Sequence, residues 1–391
     1  MPLECNLTTI SNVELADICK PDNIDFSKIG LNKKEWVTTE NSKPYVFVKY
    51  IKSAVTLDNI CSLGLFRSVL LYDGQIKIFS PPKSLKVEIF TSNFKPDECN
   101  AEEFVEGTMI NLFYDDENTR WEIASKSCVS GNVKYFKDQP TFKELFYEIC
   151  SVKNLDFSNL PKDNSYSFVL QHPKNRFVIP IVNKRLVLVA VYHIDGYAIK
   201  ELECADFIKY LNNVELPYKQ TFSNYAELET AYCSVNTPYT TMGVMIKHSS
   251  GIHTKMRNPN YESLKMLRGN SPKLQYQYLS LRSSRNVENF LTFFPENKDS
   301  FEQFRKQVHE FTKNLHKYYV KCFIKKELAL KDAPFQFKPH LYNLHQKYLA
   351  MIGTGGIITK VVVIEYINTL HPAKLMHSVN YALYGLAGGL N

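Results

Sequence analysis

The stretch 104–127 constrains this chain more than any other part. Two β-prone runs, 108–114 and Arg120–Lys126, flank an acidic turn, Asp115–Thr119, whose Asp and Asn residues favour chain reversal. The first run is apolar and the second alternates moderately, so the pair reads as two joined strands. Glu106 and Gly107 stand just before it. A glycine there lets the backbone bend tightly or come close to a ligand.

Around that hairpin, strands and helices follow in irregular order. Short helices are expected near 11–20 and 31–36, and a strand over 45–51. Strands at 65–72 and 75–79 flank Asp73-Gly74, a strong hairpin signal. Pro81 and Pro82 belong at an edge or in a loop. Phe142, Leu145, Phe146 and Ile149 give helical spacing to 140–152. Tyr166–Leu170, Arg176–Val182 and Leu186–His193 read as strands, then 198–212 and 222–232 as helices. Strands at 243–247 and 253–257 precede a helix beginning at 261–268. This pattern predicts an α+β fold with an antiparallel sheet.

From about 281 the character changes. Phe301, Phe304, Val308, Phe311, Leu315 and Tyr319 recur at helical steps, predicting a long amphipathic helix within 299–330. Helices at 338–352, 357–370 and 373–386 follow, with a break at Gly353–Gly356. The expected organisation is an α+β domain at 1–280 and an all-helical C-terminal domain at 281–391.

With 391 residues the chain has room for two or three domains and ample core. Its net charge of +7 permits contact with nucleic acid without implying it. The nine cysteines are scattered, odd in number and free of any Cys-x-x-Cys spacing. That fits free thiols in a reducing compartment, the cytoplasm, and not a disulfide framework or zinc site. The N-terminus lacks a signal-peptide pattern, and no apolar run reaches the roughly 20 residues of a membrane span.

Five blocks, taken in order, resemble the phage-type RNA ligases of the covalent nucleotidyltransferase superfamily, the tRNA-repair kind with an added helical C-terminal domain. They are Leu65–Gly74 with Phe79–Lys83, Phe104–Gly107 with Ala124–Ser127, Ser167–Ile179, Met242–Ile246 and Lys255–Asn270. The resemblance implies a nucleotidyltransferase domain. In that family a lysine of a Lys-x-Asp-Gly motif attacks the α-phosphate of ATP and forms lysyl-AMP. Acidic residues of the third and fourth motifs hold ribose and the catalytic metal, and a Lys-x-Lys motif grips phosphate.

This chain departs from that pattern at the decisive places. Phe104 stands at the nucleophile position and has no lone pair to offer. Val169 and Met242 stand at the two acidic positions, and an apolar side chain cannot ligate a hard cation. Glu106 replaces the motif Asp. The cationic side is retained as Arg67, Lys83, Lys126, Arg176, Lys255 and Arg257, with arginine in place of the last lysine. No lysine lies between Lys95 and Lys126, so Lys126 is the candidate for a relocated nucleophile.

Each feature also has a plainer reading. Lys255 and Arg257 fit a solvated strand face, and Arg176 fits a tie within its own turn. Phe104, Val169 and Met242 fit a cleft turned into packed core, in preference to a lipophilic pocket. Asp115, Asp116 and Glu117 fit a solvated hairpin tip, not a metal site. Gly353–Gly356 lacks the Lys-Ser/Thr of a phosphate loop. His340 and His345 are spaced wrongly for a helical metal pair.

The functional expectation is a catalytically inactive RNA-ligase-like protein kept for binding or structure, with no cofactor, no metal and protein partners on its helical domain. By analogy with degenerate repair enzymes turned to structural use in large DNA viruses, a virion or assembly component is one form of that reading. Two alternatives stay open. One is an active RNA ligase, dependent on ATP and Mg2+, with atypical active-site residues. The other is a non-catalytic RNA- or tRNA-binding protein.

Overall fold

The computed structural model describes residues 2–10, 13–19, 25–135 and 139–387. The chain forms two compact units, Met1–Met266 and Leu267–Asn391. The first is α+β, with antiparallel sheets, and the second is helical, with six α-helices among the described residues. The expected boundary near 280 falls inside the helix Leu274–Ser283, whose Tyr278, Leu279 and Leu281 are buried in the helical core.

Three sheets of four or more strands build the first unit. The central one has six strands, and its middle strand, Asn164–Gln171, is buried at every position. Thr108–Asp115 and Arg185–Asp195 flank that strand, and Arg120–Ala124 closes the hairpin expected from the sequence. One face carries Ile110, Leu112, Phe168 and Leu170 against Leu145, Phe146 and Ile149 of the helix Phe142–Lys153. Thr141 and Glu144 cap that helix reciprocally, which fixes where it starts.

A second sheet is a four-stranded meander of Leu31–Trp36, Tyr45–Tyr50, Val69–Tyr72 and Gln75–Phe79. Asp73 and Gly74 both take positive φ, 49° and 79°, between the paired Tyr72 and Gln75, the primed turn their dipeptide signals. The third sheet runs Lys219–Gln220, Cys99–Glu103, Gly243–His248, His253–Arg257.

Four sequence expectations are corrected here. Residues 31–36 form a strand and not a helix, because all six pair with Tyr45–Tyr50. The expected helix at 198–212 is the strand Ala198–Leu202 followed by a short 3-10 turn, Cys204–Phe207. Gly196 at φ 59° turns the chain so that Asp195 pairs with Ala198. The expected strand Arg176–Val182 is irregular, since the Glu106 carboxylate takes the N–H groups of Val178 and Ile179. Of the expected helix at 11–20, residues 11, 12 and 20 lie outside the described residues; Leu15–Cys19 is a 3-10 turn after the short strand Val13–Glu14.

The acidic hairpin tip is not merely solvated. Asp115 is buried and accepts from the backbone of Glu117 and Asn118. Asp116 pairs with Lys77 at 2.5 Å, and Glu117 accepts from Tyr72, Ser42 and Asn41. The tip thereby fastens the meander to the central sheet.

In the second unit the helix Lys298–Tyr319 buries Phe301, Val308, Phe311, Leu315 and Tyr319 and then widens into a π turn, Val320–Ile324. The helices Lys338–Met351, Lys360–Thr369 and Pro372–Ala387 complete it. His340 joins these three. Its Nδ1 lies 2.9 Å from the Tyr366 hydroxyl and its Nε2 lies 2.8 Å from Ser378 Oγ. Ser378 donates to the Lys374 carbonyl at 3.0 Å, and Asn343 donates to Tyr366 at 3.1 Å. One proton order satisfies every atom: Asn343 to Tyr366, Tyr366 to His340, Nε2–H to Ser378, Ser378 to Lys374. His345 instead stacks on Phe323 at 4.0 Å.

Candidate anion-binding site

The site is built on the third sheet. Phe104 follows the strand Cys99–Glu103, which pairs with Gly243–His248 and through it lies near His253–Arg257. Lys255 and Arg257 are two apart on the last strand and so share a face. That face meets the Phe104 ring. Lys255 Nζ lies 5.0 Å and Arg257 Cζ 5.4 Å from its centroid, within cation–π range.

Backbone contacts bring three more cations to this place. The Leu85 N–H donates to His253 O at 2.9 Å and Lys83 N–H to Gly64 O at 2.9 Å, which lays the Pro-rich loop beside the strand. Arg67 Nη1 donates to the Pro81 carbonyl at 3.4 Å. Ser68 Oγ donates to the Lys126 carbonyl at 3.1 Å, so the loop after Ala124 sits against the same segment.

The result is a concentration of positive charge. Burial first, then Arg67, Arg257, Lys126 and Lys83, push the Lys255 amine down to about 7. Burial first, then Arg67 and Lys49, push Lys126 down to about 8. Burial and the cations Arg67 and Arg257 lower Lys83 as well. Glu262, 2.9 Å from Arg257, is the carboxylate ion-paired to this group among the described residues. Lys255 has no carboxylate partner among them.

Five of the six expected cations therefore converge. Arg176 takes a different position. Its Nε and Nη2 donate to the Val178 carbonyl at 3.1 and 2.9 Å, and its charge acts on Glu106, as a tie within the turn would. Lys126, the candidate amine had the nucleophile been relocated, sits among cations, and the amine over the Phe104 ring is Lys255.

The apolar substitutions divide. Val169 is packed core against Val105 and Val187. Phe104 and Met242 are only partly buried and line a cavity of about 400 Å³ together with Glu103, Glu106, Gln171 and Arg185. The expectation that all three fill a closed core thus holds for Val169 alone. Arg185 donates to Gln171 at 3.1 Å and to Glu215 at 2.6 Å. Arg185 Nη2 and Glu103 Oε2 are buried and have no hydrogen-bond partner among the described residues. Two such atoms on residues of one cavity wall mark a place for a polar ligand or ordered water.

Glu106 is occupied structurally. It accepts from Val178 N–H and Ile179 N–H at 3.1 Å each, and from the Tyr261 hydroxyl, while burial raises its pKa. Gly107, at φ 154°, is fixed by space: a Cβ there would lie 2.5 Å from Leu170 O. The donor set does not fit a divalent metal. Val169 and Met242 offer no hard oxygen, Glu106 is spent on backbone amides, and Glu103 is drawn to Arg185 at 3.5 Å. The five cations do fit the phosphates of a nucleotide or nucleic acid.

No family model matches the chain. It is 24% identical over 249 residues to an immediate-early protein ICP-46 homolog of Invertebrate iridescent virus 3, covering 59% of this chain and 53% of that protein. It is 23% identical over 293 residues to the counterpart in Invertebrate iridescent virus 6, covering 68% and 62%. The chain thus spans little more than half the length of these curated relatives. Among solved structures, an archaeal ATP-dependent RNA ligase is similar at 12% identity and TM-score 0.39, covering 72% of each chain. A Naegleria gruberi RNA ligase is similar at 9% identity and TM-score 0.33, covering 47% of this chain and 57% of that one. Among the described residues no helix is long and apolar enough to cross a membrane.

The sequence reading missed Arg185 and Glu103. Both lie in alternating strand segments where a charged residue signals only a solvent face, and their pairing across 82 positions is set by the sheets.

Proposed function

We propose that this protein is a non-catalytic, RNA-ligase-like binder of phosphate groups. The observation that carries this is the stacking of Lys255 and Arg257 on the Phe104 ring, with Arg67, Lys83 and Lys126 near enough to Lys255 for their charges to act on it. Holding like charges together out of water is unfavourable, as the depressed Lys255 and Lys126 record. A phosphate supplies the missing counter-charge and makes charge-assisted hydrogen bonds with lysine and arginine. The iridescent-virus relatives are named as immediate-early proteins, and we carry over a viral setting early in infection in preference to a virion component.

One observation favours a second reading, an active ligase. The Lys255 amine is partly neutral near pH 7 and lies at the Phe104 ring. Incubation of the full chain with α-labelled ATP or GTP, with Mg2+ or Mn2+, separates the two. The expected result is no covalent label, with noncovalent ATP binding weakened at least tenfold in Lys255→Gln/Arg257→Gln. A covalent label that disappears in Lys255→Gln would replace the proposal with catalysis by Lys255.

A further inference from the structure

The charge of the chain is divided unevenly between its two units. Leu267–Asn391 holds 17 Lys and Arg against 8 Asp and Glu, whereas the first unit holds 30 against 32. The excess positive charge therefore resides in the helical unit, apart from the phosphate site.

One end of that unit is also apolar on its outside. The helix Lys338–Met351 runs into the 3-10 turn Ile352–Thr354, and the Gly356 N–H closes the reversal by donating to the Met351 carbonyl at 3.1 Å. A Cβ on Gly356 would lie 2.7 Å from Met351 Cε, so the reversal is tight and sets Ile352 and Ile357 on its two sides. Val361 and Ile364 are three apart on the helix Lys360–Thr369, whose other side buries Val363 and Ile367. Phe323 stacks on His345 at 4.0 Å, so the π turn Val320–Ile324 lies against the last turns of Lys338–Met351 and adds Ile324. Leu349, one turn beyond His345, shares its side of the helix. Ile324, Leu349, Ile352, Ile357, Val361 and Ile364 are 39–67% exposed. Single exposed aliphatics are ordinary, but six on adjoining segments mark a contact surface.

Lysines rim this surface. Lys321, Lys325 and Lys326 flank Ile324 in sequence, Lys347 precedes Leu349, and Lys360 precedes Val361. Of these five, only Lys325 is ion-paired among the described residues, to Glu327 at 3.7 Å. Possible occupants differ in what they need. A second copy would bring up a unit of the same sign and be repelled. A nucleic acid would take the lysines but leave the aliphatic side chains in water, since they offer no ring for stacking. A bilayer with anionic headgroups satisfies both, because the aliphatics enter the boundary between headgroups and acyl chains while the lysines stay at the headgroups.

We propose that this end of the helical unit docks on the surface of an anionic lipid bilayer. The contact is peripheral, and among the described residues no helix is long and apolar enough to cross the bilayer. It does not depend on the phosphate-binding reading of the first unit.

The test is flotation of the full chain with vesicles of phosphatidylcholine alone, or of phosphatidylcholine and phosphatidylserine in a two-to-one ratio. Binding to the mixed vesicles should be at least tenfold tighter than to phosphatidylcholine. Ile352→Ser/Ile357→Ser, at two exposed positions, should lose at least tenfold on the mixed vesicles with an unchanged thermal melt. Lys325→Gln/Lys360→Gln should weaken the same binding about fivefold per lysine. Lys255→Gln/Arg257→Gln, in the first unit, should bind vesicles as the unaltered chain does. No binding to the mixed vesicles at low salt overturns the proposal, as does equal binding to both vesicle types. Unchanged binding in the isoleucine and lysine variants together also overturns it. Loss of binding in Lys255→Gln/Arg257→Gln would move the contact to the first unit. A dimer in sedimentation that the isoleucine variant dissolves would replace the bilayer with a second copy.

Discussion

The cation cluster of the first unit and the His340 network of the second both bury ionisable groups, and they do so in opposite ways. His340 has a partner on each ring nitrogen, and every hydroxyl and amide around it is used. Lys255 has an aromatic ring and four like charges. Both groups are pushed below their ordinary pKa, His340 to about 4 and Lys255 to about 7, with burial the leading cause in each. Direction and size of a pKa shift therefore do not distinguish a packing device from a binding site. The partner inventory does: the histidine is complete within the protein, whereas Lys255 has no carboxylate partner among the described residues, which is the gap the phosphate-binding proposal fills.

The comparison can be broken most sharply at His340. Alanine there empties a ring-sized space and orphans Tyr366 and Ser378, so the helical unit should lose about 4 kcal/mol. Far-UV dichroism melts would show it. A loss under about 1 kcal/mol would mean that the network is not holding three helices together.

Acidity and alkalinity sharpen the contrast next. A His340 held at about 4 against an ordinary 6.5 contributes stability that is present above pH 6.5 and is lost as pH falls from 6.5 toward 4. The size is at most about 3 kcal/mol, from 1.36 kcal/mol for each pKa unit. Lys255, at about 7 against an ordinary 10.5, works in another window: the first unit loses stability as pH falls from 10.5 toward 7. Both tryptophans, Trp36 and Trp121, lie in the first unit, so their fluorescence reports its melting alone. Added inorganic phosphate should flatten the alkaline arm and leave the acidic arm in place.

The smallest effect has the opposite sign. Lys255→Met removes an uncompensated, largely buried charge and should stabilise the first unit by about 1 kcal/mol while abolishing phosphate-induced stabilisation. A destabilised variant would show that Lys255 already has its counter-charge within the fold.

Much of the first unit was legible because its signals are local. Asp73-Gly74 announced one hairpin, and the strand His253–Arg257 has the expected bounds. The cations were legible as residue types at motif positions, and five of the six meet. What escaped depends on distant partners. Asn32, Lys33, Lys34 and Glu35 read as helix, and only their pairing with Tyr45–Tyr50 makes them a strand. Phe177, Val178 and Ile179 read as strand, but a glutamate from some seventy residues earlier takes the amides a neighbouring strand would have used. The Asp195-Gly196 turn carried the same dipeptide as Asp73-Gly74, and was the one available signal against a helix at 198–212.

On the proposed non-catalytic reading, the stacking of Lys255 and Arg257 on Phe104 bears on what a change of one codon at this position could do. A lysine introduced at 104 would meet the Lys255 amine and the Arg257 guanidinium already there, with the nearby carboxylates engaged elsewhere, Glu103 with Arg185 and Glu106 with the amides of Val178 and Ile179. If the proposal holds, a catalytic lysine here would also need acidic side chains in place of Val169 and Met242, three coordinated changes, and the aromatic at this position would then act as a ratchet.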